Sequence, residues 1–232
     1  MTGSVARSVL VTGGTGGLGV AVTQAFVDAG WRTVVPYRSK APEGVVAVRA
    51  DLTDPASVSE VAAVAASTEA PLRAVVNLVG GFAMGGRVHE TPVEEFEAQF
   101  RTNLRPTYLV CAATIPHLID AGGGSIVCLS SRAALNPFPG AAGYITSKAA
   151  VLAFVDALAT EYERDGIRVN AVLPGVIDTP ANRESMAGSD RAGWVAPADI
   201  AKTILFLAGD ESGPVNGARI PVHHASEAWP AP

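Results

Sequence analysis

Residues 8–19 read SVLVTGGTGGLG, and Leu18, Val22, Ala25, Phe26 and Ala29 then recur at helical spacing until Gly30. A β-branched run, a turn made almost wholly of glycine and a helix thus follow one another without a break. Glycines let the backbone approach a pyrophosphate closely, and the free N–H groups and positive dipole end of the helix start can hold it. The alternative is a flexible glycine-rich turn with no ligand. On the first reading Gly13, Thr15, Gly16, Gly17, Leu18 and Gly19 bind a dinucleotide.

The same alternation continues along the chain. Thr33–Val35 (with Pro36 at its end), Val45–Val48, Ala74–Val79, Ser125–Leu129, Ile167–Leu173 and Arg219–Val222 read as further strands. Helical patterns lie between them. Asp54-Pro55 is a cap residue followed by Pro at the first helical position. Thr91-Pro92-Val93-Glu94 reads as a capping box that opens a helix running past Asn103. Tyr144 to Glu163 reads as one long helix, and Asp199–Leu207 as another with Ile200, Ile204 and Leu207 on one face. Strands alternating with helices imply parallel βαβ units. The expected fold is α/β, a single-domain doubly wound Rossmann fold of about seven parallel strands. Its core is expected over about residues 7–222 of 232, with a loosely held tail at residues 227–232.

Composition narrows the function. The chain is 48% hydrophobic and 17% charged, too apolar for a disordered chain. Its formal net charge is −5, with 17 Lys and Arg scattered singly, so no basic stripe exists to follow a nucleic acid. No run of about 18 apolar residues suggests a membrane span, and the first fifteen residues lack a signal-peptide pattern. Cys111 and Cys128 form no C-x-x-C, and the four histidines have no metal-ligand spacing, so no metal site is expected. Two buried thiols in a reducing cytoplasm are the expectation.

The second strand is followed by Tyr37-Arg38-Ser39-Lys40. A site for NAD usually carries a carboxylate near here for the ribose 2′-hydroxyl. With no carboxylate to repel it, a 2′-phosphate could pair with Arg38. NADP(H) is therefore expected over NAD(H), which stays possible. The alternative is that Arg38 and Lys40 are solvated loop charges.

Tyr144 and Lys148 stand four apart, on one face of a helix. An ammonium nearby favours a phenolate and lowers the phenol pKa from its ordinary value near 10. Ser131 ends the fifth strand, Asn103 lies in the preceding helix, and Pro174-Gly175 ends the sixth strand. In an open parallel sheet these positions all reach the carboxyl ends of the strands, where ligands bind.

These residues together resemble the short-chain dehydrogenase/reductase family. TGxxxGxG at Thr12–Gly19, N-x-x-G at Asn77 and Gly80, Asn103, Ser131, YxxxK at Tyr144 and Lys148, and N-x-V-x-P-G from Asn170 to Gly175 occur in order. The resemblance covers roughly residues 7–222. It implies that Tyr144 is the acid in reduction and the base in oxidation. Lys148 would lower its pKa and hold the nicotinamide ribose, Ser131 would bond the substrate oxygen, and Asn103 would anchor a water in a proton relay ending at Lys148. Asp51 and Leu52 would meet adenine, Asn77 the adenosine side, Val79 and Gly80 the cofactor, and Pro174, Gly175, Val176, Ile177 and Thr179 the carboxamide. The chain departs from the family in reading Asn77-Leu78-Val79-Gly80 for Asn-Asn-Ala-Gly, and in having Gly16 where many NADP-dependent members have a basic residue.

The reaction expected is hydride transfer between NADP(H) and a small carbonyl or alcohol. The rivals are an NAD-dependent alcohol dehydrogenase of the same family and a nucleotide-sensing scaffold without turnover. The resemblance also implies a homotetramer or homodimer. The apolar Val151, Leu152, Phe154 and Val155 cover more than one helix face, which fits burial against a partner.

Overall fold

The computed structural model describes residues 7–67 and 70–224; the expected tail at residues 227–232 lies outside them. Seven strands form one parallel sheet: β1 (Ser8–Thr12), β2 (Arg32–Tyr37), β3 (Val46–Arg49), β4 (Leu72–Asn77), β5 (Gly124–Leu129), β6 (Ile167–Pro174) and β7 (Arg219–Val222). Their spatial order is β3-β2-β1-β4-β5-β6-β7. Seven helices flank the sheet: α1 (Gly19–Asp28), α2 (Pro55–Ala65), α3 (Val93–Asn103), α4 (Arg105–Asp120), α5 (Ala142–Glu161), α6 (Pro180–Ser185) and α7 (Pro197–Ala208). This is the doubly wound Rossmann arrangement.

Alternation along fully buried strands builds two cores. Leu10, Val34, Val75, Ile126 and Val169 point to the face covered by α2, α4 and α5. Their neighbours Val9, Val11, Val35, Val76 and Val127 point to the face covered by α1 and α7. Each such side chain contributes about 1.5–3 kcal/mol when fully buried. The strand order reverses at β1, between β2 and β4, which opens a crevice at the carboxyl ends of these strands.

Local sequence explains where elements begin and break. The Asp54 carboxylate accepts from the Ser57 N–H and Pro55 opens α2, as expected. The expected continuous helix through Asn103 is instead two helices, parted at Leu104. Pro106 has no N–H to give, and its ring would meet the carbonyl of Thr102. Thr91 does not form the expected capping box either: its hydroxyl donates to the Arg87 carbonyl at 3.0 Å. Glu90 makes the cap one turn earlier, accepting from the Arg87 N–H at 2.8 Å. Pro36 lies inside β2, but pairing with β1 ends at Val34, so its missing donor loses no bond on that side.

The α5 pattern also has a different cause from the one expected. Val151, Leu152 and Val155 are buried within this chain, and Phe154 packs on Tyr108 at 5.9 Å between ring centres. These residues therefore carry no argument for a partner. His223 and His224 follow β7 and do not lie on a strand.

The tightest backbone approach lies at the glycine turn. A Cβ on Gly19 would fall 1.9 Å from the Gly13 carbonyl oxygen. Gly19→Ala in a helix normally stabilises. Here it is expected to destabilise by about 3 kcal/mol and lower Tm by roughly 10 °C in thermal unfolding. The exposed neighbour substitution Val20→Ala is expected to leave Tm within about 2 °C.

Candidate active site

The end of β5, the start of α5 and the loop after β4 meet around one lysine. Lys148 is 4% exposed, and its Nζ donates to the Leu129 carbonyl at 3.0 Å. The Ser130 hydroxyl donates to the Lys148 carbonyl at 2.8 Å, which stitches the strand end to the helix. Burial pushes the Lys148 pKa down to about 8. Leu129 is the one acceptor that the ammonium has in the protein among the described residues. Its remaining N–H donors are free for a ligand.

Asn103 sits at the helix break rather than in mid-helix. Its Oδ1 accepts from the Gly81 N–H at 2.9 Å, and its Nδ2 donates to the Ser147 hydroxyl at 3.1 Å. Ser147 in turn donates to the Tyr144 carbonyl at 2.7 Å. A Cβ on Gly80 would lie 2.6 Å from Asn103 Oδ1 and 3.0 Å from Lys148 Nζ. The asparagine and lysine heads therefore both abut Gly80, and only glycine leaves them room.

Tyr144 stands in the first turn of α5, with Ser131 facing its phenol. Burial raises the phenol pKa, and the hydrogen bond with Ser131 lowers it. No hydrogen bond joins the Lys148 ammonium to the phenol among the described residues. Its ammonium is turned to Leu129 instead. Ser131 Oγ also accepts from the Ala133 N–H at 3.1 Å, which fixes the hydroxyl at the start of a short turn.

The glycine turn suits a pyrophosphate. Gly13 takes φ +72°, and the Gly16 N–H closes onto the Gly13 carbonyl at 3.0 Å. Gly17 and Leu18 make no backbone hydrogen bond through their N–H groups among the described residues, and no acidic residue occupies the first turn of α1. Thr15, Gly16 and Gly17 are exposed, whereas the Leu18 side chain anchors the turn in the core. A Cβ on Gly17 would fall 2.9 Å from the Thr179 methyl group, so the segment after β6 reaches the glycine turn. Within that segment Pro174 is buried, and Gly175, Val176 and Ile177 are half-buried. Val176 accepts from the Val195 N–H at 2.8 Å.

At the other end of the crevice, Tyr37 and Arg38 leave β2 while Asp51 and Leu52 follow β3. The Thr53 N–H and hydroxyl hold the Asp51 carboxyl below its ordinary pKa, and the Arg38 charge adds to this. Arg38 and Asp51 thus share one surface. Leu52 is half-buried against the core.

Asn77 departs from expectation. It ends β4 beside the crevice, but its side chain is 2% exposed and turned inward. Its Nδ2 donates to Cys111 Sγ at 3.4 Å and to Cys128 Sγ at 3.8 Å, and its Oδ1 accepts from the Thr12 hydroxyl at 3.4 Å. The amide ties β1, β4, β5 and α4 together, and both of its N–H donors are engaged. Val79 is half-buried, and its N–H lies against Gly13. Leu78, where the family carries a polar residue, is 9% exposed and packs with α1 and α7. Ser130 and Ser147 were missed in the sequence. Ser147 had a signal in its spacing, since i+3 from Tyr144 puts its hydroxyl on the preceding turn.

Fold and site together define a dinucleotide-type crevice with a tyrosine, a serine, a buried lysine and an asparagine at its rim. A short chain dehydrogenase family profile matches residues 7–190. The 2-(R)-hydroxypropyl-CoM dehydrogenase of Xanthobacter autotrophicus is 34% identical over 93% of this chain and 96% of its own. The 2,5-dichloro-2,5-cyclohexadiene-1,4-diol dehydrogenase of Sphingobium indicum is 32% identical over 93% of this chain and 94% of its own. A solved structure titled ElxO with NADP bound superposes with TM-score 0.86 at 26% identity, covering 94% of this chain and 97% of that one. The chain belongs to the short-chain dehydrogenase/reductase family, oxidoreductases that act on alcohol and carbonyl groups with a nicotinamide cofactor.

Between pH 8 and 10.5 the unfolded chain holds a proton on Lys148 that the folded chain has released. The contribution of this residue to stability therefore rises with pH across that window. Lys148→Met removes the rise. Its stability relative to the wild type is expected to decline by roughly 1–3 kcal/mol from pH 8 to 10.5, read by urea unfolding. Parallel pH profiles of the two proteins would mean that the ammonium is not desolvated.

Proposed function

We propose that this chain uses NADP(H) to interconvert a small carbonyl compound and its alcohol, with Tyr144 as the acid and base. The observation that carries the proposal is the buried Lys148 ammonium, one turn along α5 from a phenol that faces Ser131, with donors left over for a ligand. A non-catalytic nucleotide sensor has no use for a desolvated ammonium one helical turn from a phenol that faces a serine.

In reduction, the Tyr144 hydroxyl donates its proton to the substrate oxygen, and the Ser131 hydroxyl donates a hydrogen bond to the same atom. In oxidation, the phenolate takes the proton back. Lys148, with a pKa of about 8, gains and loses charge near neutrality and is suited to replenishing that proton. Asn103 is suited to ordering a water beside it, since both heads meet at Gly80. The nicotinamide supplies or accepts the hydride. Gly13 to Gly19 would hold the pyrophosphate, Lys148 the ribose, and Pro174 to Thr179 the carboxamide.

Arg38 supports NADP(H) over NAD(H), because no carboxylate follows β2 and the guanidinium is exposed at the crevice. The structural relative solved with NADP bound supports the same choice. Family membership and the exposed Val93, Phe96 and Tyr108 on α3 and α4 support a homodimer or homotetramer. The free thiols of Cys111 and Cys128, in contact and unlinked, support a cytoplasmic location.

Tyr144→Phe is expected to lower kcat by about 10²–10⁴-fold, with the Kd for NADPH held within about threefold. Arg38→Ala is expected to raise the Kd for NADPH about tenfold or more while that for NADH moves less than about twofold. Both Kd values can be read from cofactor fluorescence. Equal effects of Arg38→Ala on the two cofactors would remove the case for NADP(H).

A further inference from the structure

Ser147 carries a hydroxyl where its helix has no need of one. It lies inside α5 and is wholly buried, and alanine is the better helix former at such a position. A serine that bonds back onto its own helix is ordinary, and here the hydroxyl donates to the Tyr144 carbonyl at 2.7 Å. The other side of the same oxygen is also taken. It accepts from Asn103 Nδ2 at 3.1 Å, across the packing of α3 on α5.

Close packing makes that second bond possible. Gly143 stands one turn before Ser147 on the same helix face. A Cβ at Gly143 would fall 3.1 Å from Gln99 Cγ and 3.3 Å from Phe96 Cα. With only hydrogen there, α3 comes near enough for its last residue, Asn103, to reach the serine. The second hydrogen of Asn103 Nδ2 finds Gln99 Oε1 at 3.5 Å, so Ser147 is the firmer of the two acceptors.

These bonds fix a polarity. A hydroxyl has one hydrogen, and that of Ser147 is spent on the Tyr144 carbonyl. Toward Asn103 the serine can therefore only accept, so the amide must show it nitrogen and turn its oxygen the other way. That oxygen accepts from the Gly81 N–H at 2.9 Å. The position that a Cβ on Gly80 would occupy lies 2.6 Å from the oxygen and 3.0 Å from Lys148 Nζ. Turned over, the amide would set its N–H groups against the Gly81 N–H and toward the ammonium. Burial lowers the Lys148 pKa, and the charge of Cys128 on β5 opposes this. An amide oxygen held toward Nζ favours the ammonium as well.

We propose that Ser147 is a positioning residue, which holds the Asn103 amide with its oxygen toward the Lys148 ammonium and so maintains the path by which Tyr144 regains its proton. This rests on the function proposed above. A cavity of about 590 Å³ opens between the loop after β4 and the starts of α3 and α5. Tyr144 lines it, whereas Ser147, Asn103 and Lys148 do not. A change at Ser147 thus leaves that wall as it is, and it bears on kcat rather than on KM.

The test uses the full chain with NADPH, and benzaldehyde as the carbonyl probe. Ser147→Ala is expected to lower kcat about tenfold, with KM and the Kd for NADPH held within about twofold. Ser147→Thr keeps the hydroxyl and is expected to bring kcat back to within about threefold of the wild type. In a chain that already carries Asn103→Ala, adding Ser147→Ala is expected to cost less than about twofold, because the serine acts through the amide. Where a lowered Tm shows that the threonine methyl does not fit, this double substitution decides. A kcat unmoved by Ser147→Ala, or lowered equally with and without Asn103, overturns the proposal. So does an equal loss in kcat and in NADPH affinity, which would make the serine a general packing residue. The lysines of the chain are Lys40, Lys148 and Lys202, so ¹³C-labelled lysine lets NMR follow Lys148 without turnover. Its pKa, about 8 in the wild type, is expected to fall by about 0.5 or more in Ser147→Ala, and to the same value in Asn103→Ala. That fall, in a protein that turns over no carbonyl compound, sinks the function proposed above and keeps the role of Ser147. Turnover with both kcat and the Lys148 pKa untouched by Ser147→Ala does the reverse.

Discussion

A lysine ammonium held out of water is the constraint around which the rim of the crevice is arranged. Charge is expensive to bury, and Lys148 has one protein acceptor among the described residues, the Leu129 carbonyl. Ser130 binds the carbonyl of the same residue, so strand end and helix start cannot slide past one another without losing both bonds. The Asn103 amide then ties the loop after β4 to α5 through Gly81 and Ser147. Three segments far apart in the chain thereby acquire fixed relative positions. Tyr144, whose own carbonyl is bound by Ser147, is placed by that same set of bonds.

Close approach between backbones is the second requirement, and glycine is how the sequence meets it. At Gly19 the limit is the carbonyl of Gly13, at Gly17 the methyl of Thr179, and at Gly80 the heads of Asn103 and Lys148. These three contacts lie at the glycine turn, at the junction of that turn with the segment after β6, and at the Asn103–Lys148 cluster. A side chain at any of them would separate elements that must touch. The glycines at these positions therefore set distances as much as they supply flexible points.

Much of this was legible in advance, for physical reasons. Strands buried along most of their length, such as β1, β4, β5 and β6, must be short apolar β-branched runs, and every strand lies within two residues of its expected ends. Asp54 capped its helix because a carboxylate before Pro-Ala-Ser has a free N–H within reach. The features that escaped were those decided by partners distant in sequence. Thr91 had the residue type of a cap, but the loop carbonyl of Arg87 captured its hydroxyl. Asn77 sat at the right strand end, yet two thiols and Thr12, from three other elements, took its amide. The break at Leu104 had a local cause in Pro106, which the helical spacing of the surrounding residues overrode in the reading. The four-residue spacing of Tyr144 and Lys148 correctly gave one face, but not the direction of the ammonium, which is set by Leu129 on a different element.

The two ends of the crevice use different physics, and this bears on how such a protein can change its substrate. At the adenosine end, recognition would fall to exposed charge and to backbone N–H groups, with Arg38 and Asp51 on one surface and Gly17 and Leu18 at the helix start. At the far end the surface is apolar and carried by two loops, joined through one bond between Gly85 and Gly140. The buried Lys148, Asn103 and Ser147 lie between them and contribute no side chain to the cavity wall. Neither Phe82 nor Phe138 takes part in any hydrogen bond of the Lys148–Asn103–Ser147 group. The apolar loops and the hydrogen-bonded Lys148 cluster are in this sense separate parts of the molecule, joined at the ring of Tyr144, which touches Phe82 on one side and faces Ser131 on the other.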